Sequence, residues 1–296
     1  MSYLICSSHT WRMVSTPTVR RRRVGAELRR IREAAGMTLE DAAKVLECSI
    51  SKISRMETGH VKARVRDIRE LLDAYGLADE QRRNALLNLA RNADQQDWWI
   101  DFSDVLSSLA QHYLSLESDA AWFCCFQPLV VPGLLQTEDY ARAVISAGQI
   151  EETPEKVEKR VGIRMARQEI LFRPNPVRLW VVLDEAVLRR EVGGREVMRG
   201  QLKRLADAAV MPNITLQVLP YEVGAHAGID GPFVLIGFPE REDPDVVFLE
   251  NMTSSLYLEN NEAVYRYKLA FDHIRAEALS PRRSEELIRK LAKEFV

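Results

Sequence analysis

The sequence predicts an all-α domain of five short helices followed by a larger α+β domain. Three observations lead there. Residues 24–89 carry apolar positions at helical spacing, with a glycine or a capping residue at each break. Runs of strand length, VRLWVVL, ITLQVLP, PFVLIGF and DVVFLE, begin only after residue 176. Charge divides the same way: residues 1–92 hold eighteen Lys and Arg against eleven Asp and Glu, a net of +7, and the remainder nets −9. The boundaries that follow are a disordered tail over 1–18, a helical domain over 19–92 and an α+β domain over 93–296.

Each helix of the first domain has its own warrant. Val24, Leu28, Ile31 and Ala35 form the first stripe, which stops at Gly36. Thr38 is an N-cap with Asp41 three residues on, near to a capping box. Leu39, Ala42, Ala43 and Leu46 make the second stripe, its alanines small enough for a crossing helix. Ser49 caps the third helix, in which Ile53 and Met56 share the buried face and which ends near Gly59. Val65, Ile68, Leu71, Leu72 and Tyr75 make the fourth stripe, ended by Gly76. Ala85, Leu86 and Leu89 follow Asp79 in the fifth. A short helix, a tight turn and a helix with a polar outer face is a helix-turn-helix, whose second helix enters the DNA major groove. The basic charge of this third of the chain agrees with a polyanionic partner.

The run LRRIREAAGMTLEDAAKVLECSISKISRMETGH, and above all S-x-S-x-I-S-R-x-E-x-G, resembles the lambda-repressor/Cro-like, xenobiotic-response-element (XRE) family over residues 24–78. The resemblance implies a homodimer on double-stranded DNA. It implies that Ser49 contacts phosphate as well as the helix end, that Ile50, Ser51 and Arg55 face base edges, and that Lys52 and Ser54 flank them. Thr38 belongs to the same surface. Leu39 stands where many relatives carry Gln, which puts a polar backbone contact there in doubt. The alternative for Arg55 is an ion pair with Glu57 or Glu47. Arg20, Arg21, Arg22 and Arg23 precede the first helix and either track phosphates or form a basic tail. Met13 is an alternative translation start, which would make residues 1–12 an upstream extension.

Beyond residue 92, DWWIDFSDVLSSLAQHYLSLESDAA reads as one helix bearing Trp98 and Trp99, an aromatic stripe for a core, a dimer seam or a ligand. A helix capped by Thr137 and a long charged helix ending before Pro174 come next. Helices then alternate with the four strands and close the chain. VPGLLQTEDYARA, RMARQEIL, VVLDEAVLRREVGG, QLKRLADAA, PNITLQVLP and GAHAGIDGPFVLIGF resemble the carboxy-terminal domain of WhiJ-type actinobacterial regulators, also called Scr-type antitoxin-like regulators. That resemblance implies transcriptional control, often beside a small partner protein encoded nearby, or an antitoxin-like role with autoregulatory DNA binding.

Several function classes are excluded. No nucleotide-binding glycine fingerprint follows a strand, and no nucleophile elbow, HExxH or paired-His spacing is present. The chain is therefore expected not to be an enzyme and to need no metal or other cofactor. Asp184, Glu185, His226 and Glu250 are the polar residues worth weighing in the second domain. His226 and Glu185, with Trp98 and Trp99, are candidates for holding a small-molecule effector or partner. Four cysteines give no disulfide framework. With no secretory signal and no membrane span, the expected setting is the cytoplasm, at the nucleoid.

Overall fold

In the computed structural model, residues 19–92, 99, 102, 104–148, 152–239, 244–252 and 254–295 are described. The predicted tail 1–18 and Trp98 lie outside them. The chain divides into two compact units, one ending at Gln96 and the other beginning at Asp97.

The first unit is all-α: α1 Val19–Ala34, α2 Leu39–Val45, α3 Ile50–Glu57, α4 Val65–Ala74 and α5 Glu80–Asn92. Leu28, Ile53, Met56, Ile68, Leu71 and Leu72 close its core. Thr38 and Asp41 complete a capping box: the Asp41 N–H donates to the Thr38 hydroxyl (3.1 Å) and the Thr38 N–H to the Asp41 carboxylate (2.9 Å). The Thr38 hydroxyl and N–H hold that carboxyl below the usual range. Two expectations change. Arg20 to Arg23 do not precede the first helix; they form its opening turns, because arginine is a good helix former. Ala35 is exposed past the helix end, and Arg32, four residues after Leu28, takes the inward position instead.

α1 and α3 touch through backbone. A Cβ on Gly25 would lie 2.5 Å from the carbonyl oxygens of Met56 and Glu57. Gly59, at φ +76°, leaves 2.9 Å between its own Cβ position and the Arg22 nitrogen. Within a helix, Gly→Ala ordinarily stabilises by about 1 kcal/mol. Here Gly25→Ala is expected to destabilise instead, by about 1–3 kcal/mol, because a backbone has to yield. Calorimetry checks the sign: a raised melting temperature would mean that the helices do not meet.

The second unit is α+β. Six strands, β1 Trp122–Gln127, β2 Arg178–Asp184, β3 Ile214–Leu219, β4 Phe233–Gly237, β5 Val246–Glu250 and β6 Ser255–Leu258, form one sheet in the order β3-β2-β1-β4-β5-β6. β3, β2 and β1 run parallel; β4, β5 and β6 each run antiparallel to their neighbours. Parallel neighbours need crossovers. α7 Glu138–Gly148 and α8 Pro154–Ala166 carry the chain from β1 to β2, and α9 Glu185–Arg189 and α10 Arg195–Ala208 from β2 to β3. α11 Asn261–Glu277 and α12 Pro281–Glu294 close the unit.

The four expected strands are present; β1 and β6 are additions. The helix expected over 97–121 begins only at Ser108, as α6 Ser108–Asp119, because Ser107 caps it by accepting from the Ala110 N–H (3.2 Å) and Asp104 and Val105 form a turn. Alternation along β1 separates the two faces of the sheet. Phe126, with Val182 on β2, Phe233 and Leu235 on β4 and Val247 on β5, packs on Val264, Phe271 and Ile274 of α11. Phe123 and Cys125 face the other way, with Leu179, Val234 and Phe248.

Candidate nucleic-acid interface

The α2–α3 turn sets the interface. Glu47 bends it at φ +47°, the one left-handed residue other than glycine among the described residues. Ser49 then caps α3, its hydroxyl accepting from the Lys52 N–H (3.2 Å). Leu39, at the start of α2, packs on the core.

Two turns of α3 have opposite faces. Ile53, Met56 and Glu57 are buried. Ile50, 49% exposed, Ser51 and Arg55 stand in solvent, with Lys52 and Ser54 half-buried beside them. The Arg55 guanidinium donates to the Ser51 carbonyl (3.3 Å) and meets no carboxylate among the described residues. Lys52 reaches toward Asp67 of α4 at 3.8 Å.

Glu57 belongs to Arg32 rather than to Arg55. Arg32 Nε and Nη2 donate to the two Glu57 oxygens at 2.7 and 2.9 Å, and Nη1 donates to the Met37 carbonyl (2.8 Å). Both side chains are buried. The hydrogen bond to Glu57 raises the Arg32 pKa against the cost of burial. The sequence reading missed this pair, although Arg32 sits on the inward stripe. The Arg21 and Arg22 side chains are half-buried, their backbone against Gly59. Arg20 and Arg23 have helical backbone, and their side chains lie outside the described residues.

Asp184, Glu185, His226 and Trp99 in the second unit are engaged locally. Asp184 caps α9 by accepting from the Ala186 N–H (2.8 Å). Glu185 is buried; one oxygen accepts from Arg189 (2.7 Å) and the other from the Tyr221 N–H (3.1 Å), which ties α9 to the segment after β3. His226 Nδ1 accepts from the Gly228 N–H (3.1 Å), and its ring stands edge-on to Phe126 at 5.3 Å. Trp99 is core, packed with Val105, Leu114 and Ile163. Burial pushes the Cys124 thiol up to about 11 and that of Cys125 well above its ordinary value, the opposite of an activated nucleophile. Among the described residues no three potential ligands converge on a metal site, and no helix is long and apolar enough to cross a membrane.

Comparison with known families agrees with this division. Residues 23–86 match a family described as a helix-turn-helix domain. Residues 110–290 match one described as a domain of unknown function (DUF5753). No curated protein and no solved structure matches. The helix-turn-helix match supports DNA as a partner and transcription regulation as the role. The second match spans well over half of the sequence, so the chain belongs to the DUF5753 family, here carried behind an amino-terminal helix-turn-helix domain.

Proposed function

We propose that this chain is a sequence-specific transcriptional regulator of the XRE type that binds an inverted-repeat operator as a homodimer. Two copies of α3 then enter successive major grooves roughly 34 Å apart. The observation that carries the reading is the outer face of α3. It presents a guanidinium that meets no carboxylate among the described residues, beside an exposed isoleucine and a serine, on a helix pinned from behind by a buried ion pair. Arg55 pairs with guanine O6 and N7, Ile50 meets a thymine methyl, and Ser51 lies between them. Ser49, Lys52, Ser54 and Thr38 meet phosphate and sugar, and the α1 arginines, Arg20 to Arg23, add salt-dependent affinity.

One footprinting series on the protein's own upstream region tests this. Arg55→Ala is expected to cost about 1–3 kcal/mol on the operator, to relax preference at one base position, and to leave random duplex unaffected. Arg21→Ala with Arg22→Ala weakens all sequences alike and flattens the salt dependence. Equal loss on operator and random DNA after Arg55→Ala removes the direct-readout assignment.

The second domain, in this reading, receives a small partner protein or a small-molecule effector and is not an enzyme. The raised thiols and the engagement of Glu185 support that. The antitoxin-like variant, suggested by the WhiJ-type and Scr-type resemblance, keeps the same DNA contacts. It requires that a small protein encoded beside the gene co-purify with residues 94–296.

A further inference from the structure

Helix α8 and the 3-10 turn that continues it bring three arginines, Arg160, Arg164 and Arg167, to one cavity at i, i+4 and i+7. They line a cavity of about 400 Å³ between α6, α7, α8 and the sheet face opposite α11. Two of the three are neutralised. Arg160 grips Glu152 with two bonds of 2.7 and 2.6 Å. Arg167 grips the buried Glu117 with two of 2.7 Å, and its guanidinium carbon sits 5.1 Å from the centre of the Tyr113 ring. Arg164 meets no carboxylate among the described residues. Its Nη1 donates to the neutral Gln136 oxygen at 2.8 Å.

The Arg164 guanidinium is nevertheless held in place. Gln136 is buried and its amide donates to the Val131 carbonyl at 2.7 Å. Gly133 lies so close that a Cβ there would fall 2.8 Å from Arg164 Cδ. A positioned cation with unused N–H groups, facing a cavity rather than bulk water, is what a carboxylate binds best. The remaining walls combine apolar side chains, Leu106, Leu114, Ile145, Ile163, Val234 and Phe248, with polar ones at Ser107, Gln127 and Ser255. The volume lies within the range of small-molecule sites.

We infer that this cavity binds a small apolar molecule bearing one carboxylate, held by Arg164. With Arg160 and Arg167 matched to their own acids, Arg164 is the cation left without a direct acid partner among the described residues, and the exposed Glu250 at the rim, which already offsets part of its charge, opposes a second negative charge on the ligand. A monocarboxylate fits that balance better than a phosphate does. Burial first, and then the nearby Arg167 charge, lower the Arg164 pKa to about 10, so the group is cationic at neutral pH but would gain from an anion. The inference deepens the effector reading and rests on it for its regulatory meaning; the binding event itself needs no DNA.

The test uses the full chain, with phenylacetate, indole-3-acetate and 2-naphthylacetate as probes in calorimetric titration. 2-Naphthylacetamide and 2-naphthyl phosphate are the comparators. At least one acid should bind saturably at one site per chain, about tenfold or more tighter than the amide and the phosphate. Arg164→Gln should remove that preference, and Ala110→Phe, which fills the cavity and keeps the arginine, should abolish binding. Equal binding of acid and amide, binding that survives Ala110→Phe, or silence from every acid overturns the site. Footprinting on the same preparations separates the two readings. Carboxylate binding by protein that protects no duplex overturns the regulator, whereas operator protection by protein that binds no acid overturns the cavity assignment.

Discussion

Glu57→Ala is expected to destabilise the helix-turn-helix unit by about 3–5 kcal/mol, because it takes the two-bond partner from the buried Arg32 and leaves it only the exposed Glu33 at 3.6 Å. Small domains hold only about 5–15 kcal/mol in total, so the loss removes a large share of the unit's stability. Calorimetry of the full chain should show that unit's transition fall while the other holds. Glu57→Gln keeps the shape and some of the hydrogen bonding and should fall between. Arg32→Met combined with Glu57→Leu should recover much of the loss, since an apolar pair carries no desolvation cost. A change below about 1 kcal/mol for Glu57→Ala would place the pair in solvent and refute the burial argument. DNA affinity should fall with stability here, as Glu57 closes the last turn of α3.

Glu117→Ala is the counterpart in the second unit, again expected to cost about 3–5 kcal/mol. Burial works against the Arg167 charge, yet the Glu117 carboxylate prevails and the arginine's pKa is raised. Removing Glu117 leaves that charge beside Arg164 in the same cavity. The second transition should drop while operator binding by the surviving folded protein is retained. A fall in the first transition instead would contradict the assignment of Glu117 to the second unit alone.

Much of the first unit was legible because its signals are local. Caps at Thr38 and Ser49, glycine stops at Gly36 and Gly76, and stripes at 3.6-residue spacing each lie within a few residues of what they specify. The Arg32–Glu57 pair spans 25 residues and depends on how α1 crosses α3, so no local pattern announces it. β1 was hidden for a different reason. As the central strand it is covered on both faces, and WFCCFQ therefore lacks the polar alternation of a half-exposed strand. The helix read through Trp99 and Phe102 failed because apolar residues at helical spacing also suit a compact turn packed on a core. The spacing of Arg160, Arg164 and Arg167 was readable along α8 and into the turn that follows it. Which of them would find an acid was not, since Glu117 and Glu152 come from α6 and from the segment before α8.

On its α11 side the sheet is close-packed around Leu235 and Val247, whereas on the other side Val234 and Phe248 border the cavity, and these positions should differ in how freely they change. Where atoms already touch, an added methylene forces neighbours to move. Where they border empty space, a longer side chain gains contacts it lacked. Substitutions that enlarge residues should therefore be tolerated at Val234 and Phe248 and punished at their strand neighbours Leu235 and Val247, one position along the same backbone.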